Sequence, residues 1–173
     1  PQSPYGVSKA AAYWLIKIYR EKYGIFCCTG ILFNHESPLR SKEFVTKKIV
    51  DTALKIKRNK GIILKLGNVE IVRDWGWAPD YVKAIWLMMQ KTKPRDLIIG
   101  SGKTYSLKDF VNEVFRYLNI SKKNLKTNVS KYKRKIDLRG YKANIADTQK
   151  ILKWRPKLKF KDIIHKMIKN ELF

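Results

Sequence analysis

The chain has 173 residues, of which 45% are hydrophobic, and its formal net charge is +24. A chain of this size and composition can bury one ordinary hydrophobic core, or most of one, and nothing in it suggests disorder. The sequence contains no run of 18 apolar residues, so it offers no membrane-spanning helix and we expect a soluble protein.

The first predicted element is an amphipathic helix over residues 4–23, in which apolar residues recur at intervals of three and four. Ser3 is a suitable N-cap, and Gly24 ends the helix. A nearly continuous apolar run over residues 25–33 then predicts a parallel strand that is covered on both faces. We expect the polar segment 34–42 to be a loop at the carboxyl end of this strand, where open α/β sheets bind ligands.

Farther along the chain, apolar periodicity and Gly or Pro breakers predict alternating helices and strands. Residues 121–139 are basic and lack clear periodicity, so this region is predicted to be mostly loop. The predicted helices cover residues 43–59, 79–91, 107–118, 146–152 and 161–170. The predicted strands cover residues 62–66, 70–72, 97–99 and 125–129.

Within the first helix, Tyr5 and Lys9 are four residues apart and are therefore predicted to share one face. A lysine ammonium close to a phenol favours the phenolate, which can accept a proton from a sugar hydroxyl. The same spacing is typical of a solvated helix face, because tyrosine and lysine are both common residues. The pair is a candidate catalytic site whose interpretation depends on the rest of the sequence.

Several sequence blocks follow this pair in a fixed order. With them, the chain resembles the extended short-chain dehydrogenase/reductase family from residue 3 to about residue 102, and more loosely in the tail. Within that family it is most similar to the GDP-mannose 4,6-dehydratases. The blocks are SPYGVSK at 3–9, GILFNHESP at 30–38, FVTKKI at 44–49, LGN at 66–68 and RDWG at 73–76.

The resemblance implies an α/β fold, namely the C-terminal part of a doubly wound Rossmann-like parallel sheet with a smaller mixed α/β substrate-binding domain. It assigns residues 1–40 to the NAD(P)-binding Rossmann domain. Residues 41–173 then belong mainly to the nucleotide-sugar binding domain, with 62–99 partly returning to the Rossmann sheet. It also implies a lyase that converts GDP-mannose to GDP-4-keto-6-deoxymannose and water, as a dimer or tetramer.

The same resemblance implies roles toward a tightly held NADP cofactor. Tyr5 would remove the proton of the sugar 4-hydroxyl while hydride passes to NADP, and Lys9 would bind the nicotinamide ribose. His35 and Arg40 match NADP contacts of the family. In the family Arg40 is one of two adjacent arginines in a loop that reaches a neighbouring subunit. The other one is Leu39 here, which weakens the expectation of a tetramer.

Further residues match positions that line the nucleotide-sugar pocket of the family. An arginine offers a fork of donors that suits a diphosphate, so Arg73 is the strongest single candidate. A salt bridge between Arg73 and the neighbouring Asp74 is the structural alternative. The matching positions are Asn34, Val45, Lys48, Leu66, Asn68 and Arg73.

Near the tail, the family has the motif Arg-Pro-x-Glu-Val-Asp, whose arginine and glutamate grip the nucleotide. The counterpart here is YKRKID at residues 132–137. Arg134 is expected to replace the arginine from a shifted position, whereas Lys135 stands where the glutamate should be. The resemblance therefore leaves the base specificity open.

Two features of the family have no counterpart in these residues. The sequence contains no Gly-x-x-Gly-x-x-Gly phosphate loop. It also opens at the candidate catalytic helix, so the upstream Thr and Glu that assist proton transfer and abstract the C5 proton are missing. We therefore expect the C-terminal half of an enzyme, which alone neither binds NADP tightly nor turns over.

Two other functions stay open. The nearer one is another nucleotide-sugar epimerase, dehydratase or reductase of the same family. The other is a non-catalytic basic module that binds nucleic acid through its charge. Because the lysines occur in nearly every segment rather than in one patch, the charge indicates a general compositional bias. Nucleic-acid binding is therefore not the expected main role.

The cysteines and histidines predict no metal site. Cys27 and Cys28 are adjacent, so in a strand they point to opposite faces and cannot form an ordinary disulfide. Their apolar packing fits a reducing, cytoplasmic setting. The two histidines are far apart in the sequence and have no partners at the spacing of a metal site.

Overall fold

The computed structural model describes residues 1–59, 61–132 and 140–170. Over these ranges the chain has an α/β fold in which helices and short strands alternate. The helices are α1 (Pro4–Tyr23), α2 (Val45–Arg58), α3 (Ala78–Met89), α4 (Leu107–Leu118), α5 (Ala146–Leu152) and α6 (Phe160–Lys169). The strands are β1 (Gly30–Leu32), β2 (Asn34–Glu36), β3 (Leu64–Lys65), β4 (Val72–Arg73), β5 (Trp75–Trp77), β6 (Leu97–Ile99), β7 (Tyr105–Ser106) and β8 (Leu125–Lys126).

Helix α1 forms where the spacing predicts it. The Ser3 hydroxyl accepts a hydrogen bond from the backbone N–H of Gly6 at 3.0 Å, which satisfies one of the free donors of the first turn. Gly24 ends the helix with φ of 64°, a left-handed conformation in which glycine meets no steric penalty. The predicted bounds of this helix are confirmed.

Two parallel strand pairs follow one another along the same stretch of chain. Strand β1 pairs with β6, and β2 pairs with β5 in a register that places His35 opposite Gly76. Between them, the backbone N–H of Phe33 donates to the carbonyl oxygen of Ile99 at 2.9 Å. The chain therefore leaves one partner strand and joins the next within a few residues.

This change of partner corrects two predictions. The apolar run 25–33 is not one strand, because regular pairing begins only at Gly30. The segment 34–42 is not all loop, because Asn34–Glu36 forms β2. Apolar composition reveals that a segment is covered, but it does not reveal which strand the segment pairs with.

Most other differences are small shifts of boundaries. Helix α2 begins at Val45 rather than 43, α3 at Ala78 rather than 79, and α6 at Phe160 rather than 161. The predicted strand 70–72 lies at Val72–Arg73, and that at 125–129 ends at Lys126. Strands β5 and β7 were not predicted, because two or three residues are too few to show a period.

The larger hydrophobic core lies between α2, α4 and α6, where Ile49, Phe110 and Ile164 are fully buried. Helix α4 is fixed at its start by a capping box in which Ser106 and Asp109 bind each other's backbone N–H groups. Short strand pairs border this core: β3 with β8 in parallel, and β4 with β7 antiparallel.

A smaller core contains residues of α3, β6 and α5, among them Tyr81, Ile99 and Leu152. The division into a Rossmann part at 1–40 and a substrate-binding part at 41–173 stays a prediction.

Helix α1 contrasts with both cores because none of its residues is buried. Trp14 and Leu15 on this helix are 56% and 55% exposed. Its firmest link to the rest of the chain is Arg20, whose Nε donates to the carbonyl oxygen of Cys27 at 2.8 Å and whose Nη1 donates to Asp96 at 3.1 Å. Helix α1 therefore has an apolar surface that the described residues leave uncovered.

Helices of the kind that cross a bilayer, both long and apolar, do not occur in the parts of the chain that the structure describes.

Candidate active site

Tyr5 and Lys9 lie on the same side of α1. The Lys9 ammonium nitrogen is 5.4 Å from the centroid of the Tyr5 ring. Both side chains are exposed, and Tyr5 is 71% accessible, so its hydroxyl is open to a ligand. The geometry permits the proton transfer expected of the pair, and its catalytic role stays a prediction.

Strand β2 positions Asn34 and His35, which are both half-buried. His35 Nδ1 lies 3.0 Å from the carbonyl oxygen of Phe33. A carbonyl oxygen only accepts, so Nδ1 carries the proton of this hydrogen bond, and in the neutral ring Nε2 is left as an acceptor.

The Tyr81 hydroxyl donates to the carbonyl oxygen of Asn34 at 3.4 Å. Burial, followed by the charge of nearby Asp74, raises the pKa of Tyr81, so this phenol stays a neutral donor.

Glu36, the next residue of β2, was not singled out from the sequence. Its side chain is 1% exposed, and its Oε2 accepts a hydrogen bond from the Thr46 hydroxyl at 2.6 Å. The same oxygen lies 3.5 Å from Nε of Arg40. Burial raises the pKa of Glu36 to about 7, although the Thr46 hydrogen bond and the Arg40 charge oppose this effect.

Arg40 therefore turns inward rather than away from the protein. Its guanidinium carbon lies 3.7 Å from the centroid of the Phe44 ring, a cation–π contact. The buried Nε has no hydrogen-bond partner among the described residues. Glu36, Arg40, Phe44 and Thr46 form a group that we call the Glu36 cluster. It connects β2, the segment 37–44 and the start of α2.

A second group of predicted residues meets at α2 and the end of β3. Lys48 donates to the carbonyl oxygen of Lys65 at 3.0 Å, and its ammonium lies 3.7 Å from the centroid of the Tyr132 ring. A Cβ on Gly67 would lie 2.4 Å from the carbonyl oxygen of Tyr132, so only glycine fits there. Tyr132, the first residue of the YKRKID block, is thus a neighbour of the candidate site to which the sequence assigned no role.

The other substrate candidates differ in how accessible they are. Val45 is half-buried at the start of α2. Asn68 is exposed, and its side-chain oxygen accepts a hydrogen bond from the backbone N–H of Glu70 at 2.9 Å. Leu66 is only 2% exposed and packs in the larger core, so its side chain does not reach a surface.

Arg73 is half-buried on β4, and its Nη1 donates to the carbonyl oxygen of Val72 at 2.7 Å. Asp74, the partner of Arg73 in the alternative salt bridge, binds backbone N–H groups of other segments instead. Its carboxylate accepts three backbone hydrogen bonds, from Ser101 at 2.8 Å, Gly102 at 2.9 Å and Ala143 at 3.2 Å. Asp74 therefore fixes the turn that follows β6 close to Arg73.

The structure gathers some of these candidates and leaves others apart. Over residues 1–59, 61–132 and 140–170, no hydrogen bond or ion pair joins Tyr5 or Lys9 to the candidates on β2, α2 or β4. Arg134 and Lys135 lie outside the described residues.

A cavity of about 770 Å³ is lined by Arg20, Arg95, Asp96 and Lys150 among others, and by none of the candidate residues. The described residues contain no group of three potential metal ligands.

Comparisons with known proteins identify the family of this chain. A sequence model of the family described as GDP-mannose 4,6 dehydratase matches residues 1–167. The protein named GDP-mannose 4,6 dehydratase 1 of Arabidopsis thaliana is 39% identical over 172 residues, which cover 99% of this chain and 48% of that relative. The chain spans about half the length of the curated relatives it matches.

Two solved structures share the fold at lower identity. The dTDP-glucose 4,6-dehydratase of Bacillus anthracis, in complex with NAD, matches with a TM-score of 0.86 and 23% identity over 98% of this chain and 52% of that one. RMD from Pseudomonas aeruginosa, complexed with NADPH, matches with a TM-score of 0.85 and 17% identity over 98% of this chain and 56% of that one. The predicted α/β fold is confirmed.

Proposed function

Because this chain belongs to the GDP-mannose 4,6-dehydratase family, we propose that it supplies catalytic and substrate-binding residues for the conversion of GDP-mannose to GDP-4-keto-6-deoxymannose and water. The match over residues 1–167 is the observation that carries this proposal, since it includes Tyr5, Lys9 and every candidate of the nucleotide-sugar pocket. The exposed Tyr5 and Lys9 pair supports it, because both groups are accessible to a sugar.

The residues present fit a nicotinamide cofactor. His35 lies in β2, which pairs in parallel with β5, and such folds bind nucleotides beyond the carboxyl ends of their parallel strands. Arg40 presents a cation whose side chain donates no hydrogen bond within the described part of the chain. When bound, the cofactor would accept a hydride from the sugar and later return it. We propose NADP as the cofactor, held by His35 and Arg40 together with Lys9.

In this mechanism the chain's own residues act on protons and on charge. Tyr5 takes the proton of the sugar 4-hydroxyl, with the Lys9 ammonium 5.4 Å from the centroid of its ring. Lys48 and Arg73 place positive charge toward the diphosphate, with Asn68 as a further polar contact. Asp74 holds the backbone around Arg73 in place.

We further propose that these residues work only with additional polypeptide and assemble as an oligomer. No residue of α1 is buried, and Trp14 and Leu15 on it are more than half exposed. An apolar helix face of this kind needs a partner surface. The catalytic helix would then be held in place by chain that lies outside these residues, so the 173 residues alone are expected not to turn over.

Nucleotide-sugar binding to the 173-residue chain tests the substrate. Isothermal titration should show tighter binding of GDP-mannose than of UDP-glucose or dTDP-glucose. Replacing Lys48 with Met should weaken GDP-mannose binding about tenfold, the value of one charge-assisted contact. Lys55→Met, an exposed lysine on the same helix, is the matched control and should bind as wild type.

Two results would point to the rival functions. Tighter binding of UDP-glucose or dTDP-glucose would favour another nucleotide-sugar enzyme of the larger family. Salt-sensitive binding of duplex DNA, tighter than that of any nucleotide-sugar, would favour the basic binding module.

Catalysis is tested by fusing this chain to the part of the Arabidopsis relative that it does not match. Tyr5→Phe should lower GDP-mannose turnover by about 10²- to 10⁴-fold, the usual contribution of a positioned general base. Tyr19→Phe removes the same hydroxyl from another exposed tyrosine of α1 and should leave turnover unchanged. Equal turnover in the two variants would refute the assignment of Tyr5.

A further inference from the structure

Glu36 is a buried carboxyl group for which the proposed reaction has no use. It lies directly after Asn34 and His35 on β2 and is 1% exposed. Burying an ionisable group is costly unless its polar atoms find partners, so a position of this kind needs an explanation. The partners present are the Thr46 hydroxyl, at 2.6 Å, and Nε of Arg40, at 3.5 Å.

The cluster determines which side of the Arg40 guanidinium is buried. Nε lies 3.5 Å from Oε2 of Glu36, and the guanidinium carbon lies 3.7 Å from the centroid of the Phe44 ring. Nε is buried and has no hydrogen-bond partner among the described residues. Unlike Nε, the two terminal nitrogens of the Arg40 guanidinium are not buried without a partner. The outer end of this side chain is therefore accessible from solvent.

The cluster also joins the two sides of the candidate site. Glu36 is on the strand that carries the cofactor candidate His35. Thr46 is on the helix that carries the substrate candidates Val45 and Lys48. The hydrogen bond between Thr46 and Glu36 is therefore a direct link between these two elements.

We propose that Glu36 is a positioning residue that holds the Arg40 guanidinium by its Nε side, with the outer nitrogens directed toward the phosphate of an anionic nucleotide. This inference rests on the proposed function for the identity of the ligand, but not for the contact between Glu36 and Arg40. Thr46 keeps the carboxyl group in place, and Phe44 covers the guanidinium face.

The carboxyl group of Glu36 changes its charge near neutral pH, where this change can be measured. The groups that face Glu36 are Arg40 from segment 37–44, Thr46 from α2 and Tyr81 from α3. Tyr81 stays neutral because burial raises its pKa, so Arg40 is the charged group acting on Glu36 within the described ranges. Burial raises the pKa of Glu36 to about 7, so its ionisation changes the field at Arg40 near neutral pH.

The first test uses the 173-residue chain and needs no ligand. The Nε–H signal of Arg40 is followed by ¹⁵N NMR between pH 5 and pH 9. We expect it to titrate with a midpoint near 7 in the wild type, to stop titrating in Glu36→Gln, and to titrate at higher pH in Thr46→Val, which lacks the donor to the ionised form. The control Glu43→Gln removes an exposed carboxylate of the same segment and should titrate as wild type.

A wild-type Arg40 signal that does not titrate, or one that still titrates in Glu36→Gln, would overturn the proposal. A purely structural role for Glu36 would lower the stability of the variant without linking the Arg40 signal to pH. Because the wild-type titration alone can refute the proposal, the test holds even if Glu36→Gln does not fold.

The second test measures affinity for 2′,5′-ADP, the phosphate-bearing adenosine part of NADP, at pH 8, and uses the fusion of this chain with the part of the Arabidopsis relative that it does not match. Thr46→Val should weaken binding about 3- to 10-fold, the cost of ordering one flexible side chain on binding, while Glu43→Gln should bind as wild type. Equal affinity in Thr46→Val and wild type would refute the role of the cluster in binding. If even the wild type does not bind the probe, the proposed cofactor contact fails, and the NMR titration decides the positioning role separately.

Discussion

Replacing Asp74 with Asn tests whether this residue holds the candidate site together. The two side chains have the same size, so the change leaves packing intact and replaces one carboxylate oxygen with an N–H donor. Asp74 is 1% exposed and accepts backbone hydrogen bonds from Ser101, Gly102 and Ala143. At least one of these N–H groups must then face another donor.

The size of the effect follows from this geometry. A hydrogen bond to a charged acceptor contributes about 1.5–3 kcal/mol, and a buried donor without a partner costs about 1–3 kcal/mol. We therefore expect Asp74→Asn to lower the free energy of unfolding by about 3 kcal/mol. With a urea m-value of about 2 kcal/mol/M, the midpoint should fall by roughly 1.5 M.

The assay is urea unfolding followed by tryptophan fluorescence, since Trp75 is buried next to the substituted residue. The matched control is Asp51→Asn, which removes a half-buried carboxylate of α2 whose oxygen lies 3.3 Å from Lys47. A helix pair of this spacing contributes at most about 0.5 kcal/mol. If the two variants unfold at the same urea concentration, Asp74 does not fix the turn after β6, and the reasoning is wrong.

Three further predictions concern other parts of the fold. Because burial raises the pKa of Glu36 to about 7, the folded state keeps a proton that the unfolded chain loses near pH 4.5; stability should therefore fall by about 3 kcal/mol as the pH rises between these values, and should not do so in Glu36→Gln. Gly76→Ala places a Cβ 2.4 Å from a buried tyrosine ring and should cost about 1–3 kcal/mol in urea unfolding, whereas Gly61→Ala at an exposed position, where the Cβ only touches the Asn59 side chain at 3.4 Å, should be nearly neutral. Arg20→Met should speed hydrogen exchange in α1 because it removes the link to Asp96, and the surface change Lys17→Met should not; unchanged exchange would show that other contacts hold the helix.

The sequence predicted the helices well because their signals are long. Helix α1 has its cap, its glycine stop and five turns of apolar spacing, so its bounds are confirmed. Residues 25–36 show the opposite case. Their pairing depends on strands β5 and β6, about forty and seventy residues away, and no local pattern contains that information.

In the candidate site, too, local sequence patterns revealed some residues and missed those whose role depends on tertiary contacts. The resemblance of short motifs singled out Tyr5, Lys9 and His35, whose residue types carry chemistry. It assigned no role to Glu36 or Tyr132, although both lie in matching blocks, because their residue types alone look like those of any surface residue. A buried carboxyl group is recognised only when its neighbours are known. The burial of Leu66 is also a tertiary property, and it was not visible in the motif that contains it.

The pairing of β1 with β6 has a consequence for synthesis of the protein. The backbone N–H of Thr29 donates to the carboxylate of Asp96, 67 positions farther along the chain, so this contact cannot form until both segments have left the ribosome. Contacts between such distant segments slow folding, because a large loop must close before they contribute energy. A nascent chain that stops short of residue 97 therefore displays α1 and β1 without their partner, and this interval is when chaperones should bind it most strongly.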